Sequence, residues 1–222
     1  MFRKTIFTAG VAIFTLSAGL VAAQGEPVAT GLNAPRHIAF DSAGTLYIAE
    51  AGSGGDLDGA GPFGPLKFGE TSQISAVSAD GEQAVVIPGL ISMDAGGQIE
   101  GATDVYVTED SIWATLGMSL TDGLPEGKIG AALVEFDKAT GETKQVIDLA
   151  AFETENNPDQ AEELVSNPAA LAVDANGKVY IVDASANALL TWTEEDGLQV
   201  FEVWPAAQDA PQSVPTSVDI SP

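Results

Sequence analysis

Short apolar runs rich in Val, Ile, Tyr and Trp recur along the chain, each broken by a turn that carries Asp, Gly or both. Residues 35–51 read Pro35-Arg36-His37-Ile38-Ala39-Phe40-Asp41, turn at Ser42-Ala43-Gly44, and resume as Leu46-Tyr47-Ile48-Ala49-Glu50-Ala51. Residues 168–184 repeat that text at an offset of 133 with no gap, and seven positions are identical: Pro35/Pro168, Ala39/Ala172, Asp41/Asp174, Gly44/Gly177, Tyr47/Tyr180, Ile48/Ile181 and Ala51/Ala184. Asp bonds its own turn backbone and Gly accepts positive φ, so the unit predicts a hairpin of two short strands. Thr103–Thr115 is a third copy, one residue shorter in the turn, and Val214–Pro222 opens a fourth.

Each hairpin is followed by another. Ile74–Val77 turns at Asp80-Gly81 into Ala84–Ile87, Leu133–Phe136 turns at Thr140-Gly141 into Gln145–Ile147, and Leu189–Trp192 turns at Asp196-Gly197 into Val200–Val203. Four antiparallel strands per repeat make a propeller blade. A sandwich or an up-and-down barrel does not ask for a repeated four-strand unit with the same turn chemistry. The fold class is therefore all-β, a propeller of three complete blades and the start of a fourth. Trp113, Trp192 and Trp204 fall at strand positions and read as packing between blades. Residues 153–165 alone have the composition of a short helix, and the charge run from Glu153 to Glu163 reads as a solvated connection.

Composition changes the picture in three places. The first 23 residues carry Arg3 and Lys4 ahead of an uncharged apolar run that ends in Val21-Ala22-Ala23, which predicts an export signal cleaved before Gln24 rather than a retained anchor. Residues 24–222 are then the propeller domain. The whole chain has 32 acidic and 8 basic residues, a net charge of −24, yet 45% of it is apolar, which demands a packed core. Such a surface does not take nucleic acid or anionic lipid unaided, so no nucleic-acid partner, and no membrane after signal cleavage, is expected. With no cysteine and one histidine, His37, the chain lacks disulfides, thiolate metal sites and the means for a Ser-His-Asp or His-zinc centre beyond that single ring.

The phrases Gly31–Arg36 and Leu46–Gly52, then Asp148–Glu153, Asn156–Asp159, Ser166–Pro168, Tyr180–Ala184, Asn187–Leu190 and Val214–Val218, resemble in order the scytonemin-biosynthesis D/E family of exported propellers. These are similar to NHL-repeat and SMP-30-like proteins. The resemblance implies export, a full ring of six blades and a place in extracytoplasmic metabolite or pigment processing. Against such a ring, residues 24–222 form an open arc with apolar surface at its ends. The chain departs from the family in Gly52–Gly64, a loop that in members is often longer and carries cysteine.

Propeller ligands sit where the innermost strands converge. By alignment that region holds Arg36, His37, Asp104, Asn167, Thr216 and Ser217, and the second strands end in the matched acids Glu50 and Asp183. Two roles stay open for these groups. They form a binding face for a small molecule or protein partner, or Glu50, Asp104, Asn167 and Asp183 form an oxygen ring for Ca²⁺, the one cofactor the sequence suggests, as in SMP-30-like hydrolases of lactones and phosphate esters. Against the metal stands the plainer reading of Glu50 and Asp183 as acids that tie loops to strand ends. Asp56-Leu57-Asp58-Gly59 opens like a calcium loop but lacks the closing Glu, and reads as a flexible loop. A pure interaction module is the third function class.

Overall fold

The computed structural model describes residues 25–61, 64–118, 124–204 and 212–221. The expected leader at residues 1–23 lies outside them. Among the described residues thirteen strands and one helix follow in order: β1 (Pro35–Phe40), β2 (Leu46–Glu50), β3 (Leu57–Gly61), β4 (Gly64–Val77), β5 (Gln83–Ala95), β6 (Gln98–Val107), β7 (Ser111–Gly117), β8 (Ala132–Asp137), β9 (Thr143–Asp148), α1 (Leu149–Asn156), β10 (Pro168–Val173), β11 (Val179–Asp183), β12 (Ala188–Thr193) and β13 (Gly197–Val203).

Every neighbouring pair is antiparallel, and the strands group as three meanders: β1-β2-β4-β5, β6-β7-β8-β9 and β10-β11-β12-β13. These are propeller blades stacked face to face, and all-β is the fold class.

The turn chemistry explains why the repeat folds as it does. Asp41 Oδ1 accepts from Ala43 N (3.0 Å) and Thr45 N (2.9 Å), and Asp174 Oδ1 accepts from the matching Asn176 N (2.8 Å) and Lys178 N (3.0 Å). Gly44 and Gly177 follow at φ 83° and 84°, a conformation that a side chain would strain. The end of each hairpin is tied alike: Ala51 N donates to Ala34 O, and Ala184 N to Asn167 O, each at 3.0 Å.

Between blades the core is apolar. Tyr47, Ala49, Ile74 and Ile87 of blade one pack on Val105, Ile112, Ala114, Val134 and Phe136 of blade two. Trp113, Leu133 and Ile147 of blade two pack on Leu171, Ile181 and Leu190 of blade three, with Trp113 and Trp192 rings 5.3 Å apart. Lys138 crosses the first junction to Asp41 (3.0 Å) and lies 5.7 Å over the Tyr47 ring.

Four expectations need correction. Gly52–Gly64 is not a plain loop, because β3 pairs with the first half of β4, whose partner β5 runs on into β6 through Gly96-Gly97. This side ribbon has its own apolar cluster of Leu66, Phe68, Ile91, Met93 and Met118. Its glycines let backbones touch: a Cβ on Gly55 would stand 2.6 Å from Phe68 O and from Gly69 Cα. The helix lies upstream, at 149–156, because Asp148 caps it by accepting from Ala151 N (2.9 Å), and Asn157 (φ 40°) followed by Pro158 ends it. Trp204 falls just past β13 and is 38% exposed. Residues 212–221 carry no strand, and Val214 N instead donates to Asn187 Oδ1 (3.1 Å).

Candidate functional site

The innermost strands β1 and β10 both contact β6, and both meet its bulged middle at Asp104, β1 through His37 and β10 through Leu171. β1 is bulged there. Its register with β2 jumps from Pro35↔Glu50 to Ile38↔Ile48, which leaves Arg36 and His37 outside the ladder. A bulge swings side chains away from the pleat, a device common beside functional sites. Blade three has the same irregularity between Pro168 and Ala170, but with Ala169 in it. Blade two bulges between Ala102 and Asp104 with Thr103 in it, so the bulge carries ionisable side chains in blade one, a hydroxyl in blade two and only Ala169 in blade three.

Arg36 is exposed, and its Nη2 donates to Ile99 O of β6 at 2.5 Å. His37 is half-exposed, with Nδ1 3.4 Å from Asp104 Oδ1. Asp104 links all three blades: Oδ1 also accepts from Val105 N (2.8 Å) and Oδ2 from Leu171 N (2.9 Å). Burial pushes its carboxyl above the usual range, opposed by the Leu171 N–H and by His37. Thr103 adds a second tie by donating Oγ1 to Pro168 O at 2.7 Å. The sequence grouped Arg36, His37 and Asp104 at this place, and the structure brings them together.

Glu50 and Asp183 do not face a channel. Glu50 is fully buried, accepting from Asn33 N (2.5 Å), Ser75 Oγ (2.5 Å) and Gln73 Nε2 (3.0 Å). Asp183 accepts from Ser166 Oγ, Asn167 N (2.8 Å), Ala186 N (3.1 Å) and Ser185 N (3.2 Å). Each acid gathers the loop that precedes its blade onto the end of the second strand. Asn167, half-buried, sits against blade two, where a Cβ on Gly117 would meet its Oδ1 at 2.6 Å.

Among the described residues no three His, Asp or Glu side chains stand together as a metal would require. Asp58 of the calcium-loop look-alike pairs with Lys67 at 2.5 Å. Since the oxygens of Glu50 and Asp183 are taken up within their own blades, adding millimolar Ca²⁺ or EDTA is expected to leave Tm unchanged. A rise in Tm with Ca²⁺ in a thermal melt would restore the oxygen-ring reading.

Sequence reasoning missed a cleft between blades one and two. Ile87, Leu90, Leu116, Val134, Phe136 and Val146 wall an open cavity of about 280 Å³. These residues belong to hairpins legible in the sequence, but the gap depends on how two blades splay, which no local pattern encodes.

No protein-family model matches the chain, and no curated protein does. Among solved structures it is similar to virginiamycin B lyase from Staphylococcus aureus, at 14% identity and a TM-score of 0.47, over 83% of this chain and 45% of that one. It is similar also to the computationally designed Ika4 protein, at 13% identity and a TM-score of 0.46, over 90% of this chain and 89% of that one. The chain thus spans less than half the length of the lyase. These are likenesses of fold, and the blades described above stand on their own pairing.

Proposed function

We propose that the protein is an exported binding propeller that takes a small molecule bearing a carboxylate or phosphate at the inner edge of blade one, through Arg36 and His37. The bulge that projects this pair from an otherwise regular ladder carries the reading. Charge supports it. Four of the five lysines after the leader are paired with carboxylates: Lys67 with Asp58, Lys128 with Glu70, Lys138 with Asp41 and Lys144 with Glu135. Arg36 instead rests on a carbonyl, which leaves its positive charge uncancelled by contact. In a chain of net charge −24, an anion gains only where such a fork is presented, and a guanidinium binds it through two parallel bonds. The resemblance to the scytonemin-biosynthesis D/E propellers supports a role outside the cytoplasm, in metabolite or pigment processing, with the leader removed after Ala23.

Citrate, inorganic phosphate and indole-3-carboxylate are the first probes, titrated by calorimetry at low salt. At least one is expected to bind, and Arg36→Ala should weaken it by tenfold or more, the worth of a lost charge-assisted hydrogen bond being about 1.5–3 kcal/mol. Because Arg36 is exposed, the variant should melt within a degree or two of the parent. No heat from any of the three, or equal affinity in the variant, would sink the proposal.

A further inference from the structure

The molecule builds its blade junction twice, and strand register matches the two versions position by position. Leu190 and Trp192 of β12 lie opposite Ile181 and Val179 of β11, as Val134 and Phe136 of β8 lie opposite Ala114 and Ile112 of β7. Leu198 of β13 faces Trp192, as Thr143 of β9 faces Phe136. Leu190, Trp192 and Leu198 all pack into the core between blades two and three. Their counterparts Val134, Phe136 and Thr143 are smaller at each position, and all three line the cleft between blades one and two.

The facing wall is cut back as well. In blade two Ile147 leads into α1, whose Leu149 and Phe152 pack into the second junction. Its register counterpart in blade one, Ile87, leads instead into Pro88-Gly89, with Gly89 at φ 73° and no side chain to offer. The cleft of about 280 Å³ lies where these side chains are missing. Its charge sets it apart from the rest of the surface. The chain has 32 acidic residues, yet among the described residues none lines the cleft. Lys128, a charged residue on its wall, is already paired with Glu70 at 2.6 Å.

We propose that this cleft is a binding site for a small uncharged molecule with two aromatic rings, separate from the anion site at Arg36. Size sets the ring number. An apolar cavity of about 150 Å³ takes one benzene ring, so roughly twice that volume takes two. The second junction sets the chemistry, because the matching place there is taken by the Trp192 indole, with the Trp113 ring 5.3 Å away. Phe136 supplies a ring for the ligand to lie against, and Ile87, Leu90, Leu116 and Val146 supply aliphatic walls. An ionised ligand gains little here, since Glu70 already answers the Lys128 charge and no acid faces the space. Binding then rests on apolar burial and should not weaken as salt rises.

N-phenyl-1-naphthylamine, an uncharged dye whose emission rises in apolar surroundings, tests this on the full chain. A saturable rise is expected, the same at low salt and at about 0.5 M NaCl, and the same in Arg36→Ala. Val134→Leu/Phe136→Trp/Thr143→Leu copies the second junction into the first and fills the cleft. That variant should bind the dye about tenfold more weakly or worse, and should melt at or above the parent. Val146→Asp is the second variant. Val146 is 43% exposed, so the fold should survive, while a carboxylate on the wall should also weaken the dye about tenfold or more. The absence of a saturable rise overturns the proposal. So does a rise that Val146→Asp or the folded triple variant leaves intact, or one that Arg36→Ala abolishes.

Discussion

Asp183→Ala should lower the unfolding free energy by about 3–5 kcal/mol, the cost of opening a buried charged network from one side. The acid is 1% exposed and receives three backbone N–H groups and the Ser166 hydroxyl. Removing it leaves all four donors without this acceptor. The damage should reach the second junction, because Asp183 fixes Asn167, whose Oδ1 lies against Gly117 of blade two. Urea unfolding read by tryptophan fluorescence reports this directly, with Trp113 and Trp192 in contact across that junction. Burial pushes the Asp183 carboxyl upward while its hydrogen bonds pull it down. Asp183→Asn should therefore be milder than Asp183→Ala, as the amide oxygen keeps some of the acceptor positions. A loss under about 1 kcal/mol for Asp183→Ala would mean that the loop from Ser166 to Pro168 is held by other means.

The matched acid pair was visible in the sequence because the repeat is local. Asp41 and Asp174 set the hairpin turns, Gly44 and Gly177 follow, and Glu50 and Asp183 close the second strands, all within spans of about ten residues. Hydrogen bonds over such distances depend on side-chain type and spacing, which the text of the chain displays. What was not legible depends on neighbours distant in sequence. Tyr47 and Tyr180 share a register, opposite Ala39 and Ala172 respectively, yet differ in depth because blade two covers one and Phe201 flanks the other. Gly52–Gly64 read as a loop because glycine usually marks one. Here it lets strands approach closely enough to build a ribbon on Leu66, Phe68 and Met93.

The site divides along the same line. That Arg36 and His37 lie at a strand start followed from alignment. That they occupy a bulge, while Ala169 does so in blade three, required the ladder. For the acids Glu50 and Asp183 the sequence favours the strand-end role over the channel but does not decide between them. Which way each carboxylate points is set by Ser75 and Gln73 in one case and by Ser166 in the other. The charge run from Glu153 to Glu163 misled most, because its first residue is among the most buried acids of the molecule.

That residue carries the last expected result, which is a loss of stability as pH rises. Glu153 sits in α1 at 2% exposure, its Oε1 has no hydrogen-bond partner among the described residues, and its carboxyl is pushed from 4.5 up to about 7. Burial is the larger cause, and the negative charges of Asp183 and Asp159 add to it. Asp159 is itself anchored, accepting from Asn187 Nδ2 at 2.7 Å, so neither neighbour can swing away to relieve the repulsion. Below pH 4.5 Glu153 is protonated in both folded and unfolded chains and contributes no slope. Between about 4.5 and 7 the folded chain holds a proton that the unfolded chain has released, so each step up in pH favours unfolding. Above 7 the penalty is complete. Glu153→Gln keeps the shape and removes the charge, so it should melt several degrees above the parent at pH 8 and close to it at pH 4.5. The difference between the two proteins isolates Glu153 from the other acids, because those titrate alike in both. A parent and variant whose melting temperatures stay parallel from pH 4.5 to 8 would show that Glu153 is ionised in the fold and that its stranded oxygen has found a donor.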